Sequence, residues 1–147
     1  MRISSSVEYG MRLMVCLARQ PEGARLSAEQ LSESENVPKD YVDQLLQRLR
    51  KAGLVASHRG AAGGYTLARK PSEIPVADVI RAVESRIFEE PCDRFAAGEK
   101  DCHHQSACGI KTVWGELGRL IEGYLEDVTL DRLVQPEPAV FVLRGGK

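Results

Sequence analysis

Residues 37–68 read "VPKDYVDQLLQRLRKAGLVASHRGAAGGYTLA". Val42, Leu45, Leu46 and Leu49 recur at i, i+3, i+4 and i+7, the spacing that lays one apolar stripe along a helix. Pro38 suits the first turn, where its missing N–H has no partner to lose, and Gly53 stops the helix. Beyond it the chain alternates like a strand, with Val55, Ser57 and Arg59 on one face and Tyr65 and Leu67 on the return. Gly60, Gly63 and Gly64 make the turn between them.

Upstream, "LSAEQL" at 26–31 is a helix start: Ser27 caps, Gln30 closes a capping box three residues on, and Leu26 can staple onto Leu31. "ENVP" at 35–38 interrupts this helix, so two short helices meet at a tight turn, the helix-turn-helix outline. The glycine-rich hairpin that follows is its wing. The expected fold is mainly α, a winged helix-turn-helix with a two-stranded wing and a long C-terminal dimerisation helix.

Around this centre, residues 3–20 form an amphipathic helix with Val7, Met11, Met14, Val15 and Ala18 on one face, closed by Pro21 and Gly23. "PVADVIRAVES" at 75–85 is another helix with Val76, Val79, Ile80 and Val83 inward. From Ile110 through Val113, Trp114, Leu117, Leu120, Ile121, Tyr124 and Leu125 to Val128 runs an apolar stripe on a helix of roughly 18 residues, about 27 Å long. A stripe of that length needs a second helix, so a homodimer through residues 110–128 is expected. The chain divides into a winged helix-turn-helix unit at 1–85, a cysteine-rich loop at 86–109, a dimerisation helix and following segment at 110–134, and a tail at 135–147 that frays at its end.

The 147 residues fit one domain with an extension. No 20-residue apolar run occurs, and Glu8 and Arg12 break up the apolar start, which points to a cytoplasmic protein without membrane contact. Net charge is −1, but residues 1–70 carry 11 Lys and Arg against 7 Asp and Glu, and residues 71–147 carry 9 against 14. That asymmetry places a nucleic-acid face on the N-terminal half.

On the second helix of the motif the apolar stripe leaves Lys39, Asp40, Asp43, Gln44, Gln47, Arg48, Arg50 and Lys51 outside, with Tyr41 beside them. Gln pairs with adenine and Arg with guanine, Lys holds phosphate, and Asp accepts from cytosine or complements the helix dipole. Ser57, His58 and Arg59 lie where the wing approaches a groove, with glycines that let the backbone come close. A solvated helix face and a plain turn are the bland alternatives; capped helix, turn, second helix and basic hairpin together favour DNA.

Cys92, Cys102 and Cys108 are separated by nine and five residues, with His103 and His104 between the last two. In a reducing compartment, three thiolates on one loop suggest zinc, copper(I) or an iron–sulfur cluster. A Cys3His zinc site using one histidine competes, although short knuckle spacing is absent; a metal-free redox pair is a further alternative. Cys16, among apolar residues of the first helix, is expected to be a small buried hydrophobe. No phosphate cradle or nucleophile motif occurs, so no enzyme is expected.

The segments "MRISSSVEYGMRLM", "VPKDYVDQLLQRLRKAGLVASHRGAAGGYTLA", "CDRFAAGEKDCHHQSACGIKTVW" and "LEDVTLDRLV" together resemble the Rrf-type winged-helix regulators, the IscR, NsrR, RirA and CymR group, over nearly the whole chain. The resemblance implies a dimeric DNA-binding transcriptional regulator, with repression the expected sense. Cys92, Cys102 and Cys108 match three cysteines that hold an iron–sulfur cluster (2Fe-2S or 4Fe-4S) responsive to iron, redox, nitric oxide or sulfur status. Asp40, Asp43, Gln44, Ser57 and Arg59 match the family's DNA contacts. Lys111 stands where IscR-like members place a histidine, and the gap after Cys92 is longer than the familiar one. By resemblance the fourth ligand is Glu8 of the partner's first helix, with His103 or His104 next. The alternative is a cluster-free or zinc-binding regulator controlled by a protein partner or by thiol oxidation.

Overall fold

The computed structural model describes residues 3–84, 86–88 and 108–134. In chain order these form α1 (Ser5–Ala18), α2 (Ala28–Glu35), α3 (Lys39–Lys51), β1 (Val55–His58), β2 (Gly64–Leu67), a 3-10 turn at Pro71–Glu73, α4 (Val76–Val83), α5 (Gly109–Asp127) and the single-turn α6 (Asp131–Val134). The chain is a mainly helical winged helix-turn-helix with a two-stranded wing and a long C-terminal helix.

Local chemistry sets the boundaries of the motif. Ser27 Oγ accepts from the Gln30 amide and Gln30 Oε1 accepts from the Ser27 amide, so the capping box forms in full. Asn36 ends α2 in the left-handed region at φ 52°, and Ser32 Oγ donates to the Val37 carbonyl at 2.6 Å, tying the turn to the helix it follows. Pro38 precedes α3 as its cap residue, and its carbonyl accepts from the Tyr41 and Val42 amides. At the other end Gly53 takes φ 71°, with Leu54 N–H bonding Leu49 C=O and Gly53 N–H bonding Arg50 C=O. That pair of bonds is a Schellman motif, and it requires the positive φ that glycine accepts without strain.

The core gathers Leu13, Met14 and Leu17 of α1, Leu31 of α2, Val42, Leu45, Leu46 and Leu49 of α3, and Leu54, Ile74, Val79, Val83 and Leu130. The four apolar residues of α3 are all 0 % exposed, which stabilises the fold by about 1.5–3 kcal/mol for each side chain. On α1 the fully buried positions are Gly10, Leu13, Met14 and Leu17, while Val7, Met11, Val15 and Ala18 pack around the edge of the core. The stripe expected from spacing is thus rotated. α1 packs against α4 on one side and against α2, α3 and β2 on others, so a wide arc is covered and its centre falls on leucines that the i, i+4 pattern passed over.

β1 and β2 pair antiparallel with Val55 opposite Leu67 and His58 opposite Gly64. Val55 is buried and Ser57 is exposed although both face the same way, because the hairpin starts in the core and runs out of it. The stretch before α2 adds a third rung: Leu26 N–H bonds Tyr65 C=O, and Tyr65 N–H bonds Leu26 C=O. A further bridge ties the C-terminal part back, with Val76 N–H on Val128 C=O and Leu130 N–H on Ile74 C=O. α5 is therefore anchored at its end. Midway, Gly118 lies against Phe88, where a Cβ would come within 2.9 Å of the ring.

Candidate nucleic-acid interface and cysteine segment

α3 turns its buried leucines toward α1, α2 and α4, which leaves Asp40, Gln44, Gln47, Arg50 and Lys51 exposed. Asp40, Gln44 and Gln47 make no hydrogen bond or ion pair with another described residue, so their amide and carboxylate groups are available to base edges. Lys39 is engaged: its Nζ lies 2.7 Å from Asp43 Oδ2 and 3.6 Å from Glu29 Oε1. The bond to Asp43 is the main reason its ammonium is held above the ordinary lysine range, with the charges of Asp43 and Glu29 adding to it against slight burial.

Two residues expected on the DNA face bond to other parts of the protein, although Arg48 is exposed. Tyr41 is half-buried, its hydroxyl 2.9 Å from Ser6 Oγ and its ring edge-on to Tyr9 at 6.0 Å. Arg48 Nη1 donates to the Val83 carbonyl at 3.0 Å. Arg12 stacks over the Tyr9 ring and pairs with Glu35 at 2.8 Å, chaining α1 to the end of α2 and, through Tyr9, to the start of α3. Glu35 is also the main cause of the raised Arg12 guanidinium pKa.

In the wing, Arg59 is exposed at the tip and Ser57 is exposed on β1, where Arg50 reaches its Oγ at 3.4 Å. His58 is half-buried, with Nε2 3.0 Å from Thr66 Oγ1, so its ring braces the hairpin. The turn closes by a Gly63 N–H bond to Gly60 C=O, and a Cβ on Gly63 would fall 2.6 Å from the His58 carbonyl. Arg25 has no place among the sequence-derived candidates, yet its Nη1 donates to the Ala62 carbonyl and steadies the tip. Nothing in its spacing marks that reach; only the pairing of Leu26 with Tyr65 brings it there.

A capped helix-turn-helix, an exposed polar face on its second helix and a basic, glycine-built wing are now in one surface. A family profile described as "Rrf2: Iron-dependent Transcriptional regulator" matches residues 3–136. The chain belongs to the Rrf2 family. Like other Rrf2 proteins it is a DNA-binding transcriptional regulator and not an enzyme. It is 34% identical to the HTH-type transcriptional regulator IscR of Serratia proteamaculans over 97% of this chain and 84% of that one. Among solved structures it is similar to IscR of T. potens (35% identity, TM-score 0.71, covering 97% of this chain and 93% of that one). It is also similar to CymR, the global cysteine regulator of B. subtilis (30% identity, TM-score 0.73, covering 91% and 96%).

Of the sulfur and nitrogen ligands expected in this Rrf2 protein, Cys92, Cys102, His103 and His104 lie outside the described residues. Cys108 is half-buried and forms the cap position of α5, its carbonyl accepting from the Thr112 amide at 3.2 Å. Lys111, one turn on, is exposed. Glu8 projects from the first turn of α1 with its side chain 61% exposed and only a 3.7 Å approach to Arg12, so its carboxylate faces outward. Among the described residues no three His, Cys, Asp or Glu side chains converge as a metal site. Cys16 is half-buried, packed at the edge of the core with Sγ 3.5 Å from Ser34 Oγ. No helix of the described residues is long and apolar enough to cross a membrane.

Proposed function

We propose that this regulator is a cytoplasmic homodimer, acting chiefly as a repressor, that holds an iron–sulfur cluster (2Fe-2S or 4Fe-4S) through Cys92, Cys102 and Cys108, with Glu8 of a second copy completing the set. The observation that carries the reading is the position of Cys108. It stands at the start of a helix whose apolar face is bare from Ile110 to Leu120, so a ligand site and a face suited to a second copy share one element. The outward carboxylate of Glu8 supports a ligand that reaches across that pair. An iron–sulfur centre supplies reactivity toward oxidants, nitric oxide and iron loss. The chain's own contribution is to hold three thiolates on the segment between α4 and α5 and so couple that segment to helices that pack on the DNA-reading unit.

On this reading the parts divide as 1–85, 86–109, 110–134 and 135–147. DNA is met by Asp40, Asp43, Gln44 and Gln47 of α3 and by Ser57 and Arg59 of the wing, with Lys39 bridging to phosphate. Two copies must space their α3 helices to match half-sites about 34 Å apart or a multiple.

The test is purification without oxygen, with the visible spectrum and the iron and sulfide content measured on the same sample. Iron and sulfide with a visible chromophore are expected, and Glu8→Ala weakens the chromophore. A colourless protein carrying stoichiometric zinc would replace the cluster by the Cys3His site with His103 or His104. A second reading, control by thiol oxidation or a protein partner without a cluster, is favoured by likeness to CymR of Staphylococcus aureus, one of whose solved forms is oxidised (31% identity, TM-score 0.70). Undiminished regulation in the triple Cys92, Cys102 and Cys108 to alanine variant selects it.

A further inference from the structure

Arg48 stands in the last turn of α3, on a residue pattern that suggests a DNA contact, yet its guanidinium is turned to the Val83 carbonyl at 3.0 Å. Val83 is the last residue of α4. Its carbonyl is one of the terminal acceptors that a helix cannot satisfy from within, and a cation there also meets the negative end of the helix dipole. The bond is charge-assisted, and so stronger than one between neutral groups.

Val83 is held from a second direction as well. It is buried, and a Cβ placed on Gly10 of α1 would come within 2.9 Å of its Cγ1, so α1 approaches it as closely as a glycine allows. Valine has little χ1 freedom with which to yield. The end of α4 is thus wedged between α1 and α3. On the α3 side the Arg48 bond adds to the apolar packing of α3 on α4, and α3 is held firmly because Val42, Leu45, Leu46 and Leu49 are fully buried. A shift at Val83 therefore acts on α3 through that packing and through the Arg48 bond, which reaches the backbone of α4 directly.

We propose that Arg48 is a positioning residue that ties the recognition helix to the C-terminal end of α4 and passes displacements of that end to the DNA-facing surface. This rests on the reading of α3 as the helix that meets DNA. It gives Arg48 a role distinct from that of Arg59: both are exposed, but Arg48 is bonded through its guanidinium to Val83, whereas Arg59 stands at the wing tip without a bond to another described residue. It also makes Gly10 and Val83, on α1 and α4, part of the machinery that sets DNA affinity.

The experiment uses the full chain as parent, Arg48→Ala, Arg48→Lys and Arg59→Ala. Affinity for a random-sequence duplex is measured against salt, and backbone amide exchange is followed along α4. Arg59→Ala loses about one unit of the log–log salt slope, as the loss of a phosphate contact requires. Arg48→Ala keeps the parent slope and exchanges faster in the last turn of α4, and Arg48→Lys recovers protection there. Loss of a unit of slope in Arg48→Ala, or unchanged exchange in α4, overturns the tie. An unchanged slope in Arg59→Ala counts against the wing reading alone.

Transmission is tested on a duplex that the parent selects from a random pool. Gly10→Ala forces Val83 from the α1 side and lowers affinity by about threefold or more in the parent background, with little effect when Arg48 is alanine. Equal losses in both backgrounds overturn it. Val83→Ala, which removes the wedge instead of forcing it, gives the same comparison without crowding the core.

Discussion

α3 and α5 carry apolar stripes of the same kind and meet opposite ends. The four stripe residues of α3 are fully buried, whereas on α5 Ile110 is 68% exposed and Leu120 72%, with Val113, Trp114, Leu117 and Tyr124 also open. The difference is where the covering surface lies. For α3 it comes from α1, α2 and α4 of the same chain. α5 is held by its own chain at Gly118, by Arg81 on Glu126 at 2.6 Å, by the Val128–Leu130 pairing, and by the last stripe residues, Leu125 and Val128, against Val76 and Ile80. An amphipathic pattern therefore states that a face will be covered and says nothing of which molecule covers it.

The contrast can be broken at four strengths. Leu46→Ala should have the largest effect on the folded chain, a loss of about 2–5 kcal/mol from a cavity in a fully packed site, read as a lower urea midpoint at unchanged slope. Leu120→Asp should act on assembly instead. It should weaken a dimer on the order of 100-fold or more by burying an unpaired charge in the seam, leaving the α1–α4 unit folded by circular dichroism. A sedimentation profile identical to the parent's would show that α5 is not the pairing face.

Ser27→Ala removes one half of the capping box and should cost about 1 kcal/mol in thermal or urea unfolding. The smallest effect belongs to Glu29. Its carboxyl is held below the ordinary glutamate range, first by its own backbone N–H at the start of α2 and then by Lys39 and Ser27 against slight desolvation. A depressed folded pKa contributes stability at neutral pH that is lost as pH falls through it. Glu29→Gln should therefore lower the melting temperature slightly at neutral pH and converge on the parent at acid pH, where the parent carboxyl is protonated, so that the decline on the acid side is slightly shallower.

Punctuation was the most legible layer of the sequence. Ser27 with Gln30, and Gly53 after Leu49, name their own backbone bonds, because a capping box and a Schellman end are decided within six residues. The apolar sides of α3 and α4 were legible because the buried leucines and valines of each fall on one stripe. α1 was less so, since helices and the wing cover it from several sides and two neighbouring stripes compete: Val7, Met11, Met14, Val15 and Ala18, and the buried row Gly10, Leu13, Met14 and Leu17. The candidate site divides likewise. Gln44 and Arg59 emerge exposed, as polar residues opposite a buried stripe should. Tyr41, Arg48 and His58 were placed on the same surface by position and are turned to Ser6, Val83 and Thr66. Where a long side chain ends depends on which element lies within its reach, and periodicity along one helix carries no record of that.

The rung between Leu26 and Tyr65 makes the wing part of the same hydrogen-bonded body as the helix-turn-helix, with Arg25 clamping the tip at Ala62. Ordering a floppy hairpin at the moment of contact would subtract conformational entropy from every complex formed, specific or not. Here that entropy has been surrendered during folding. On the proposed reading, in which Ser57 and Arg59 meet DNA, the wing comes to a duplex already ordered, and a groove of the wrong width is met with a misfit, so shape itself becomes something the protein can refuse.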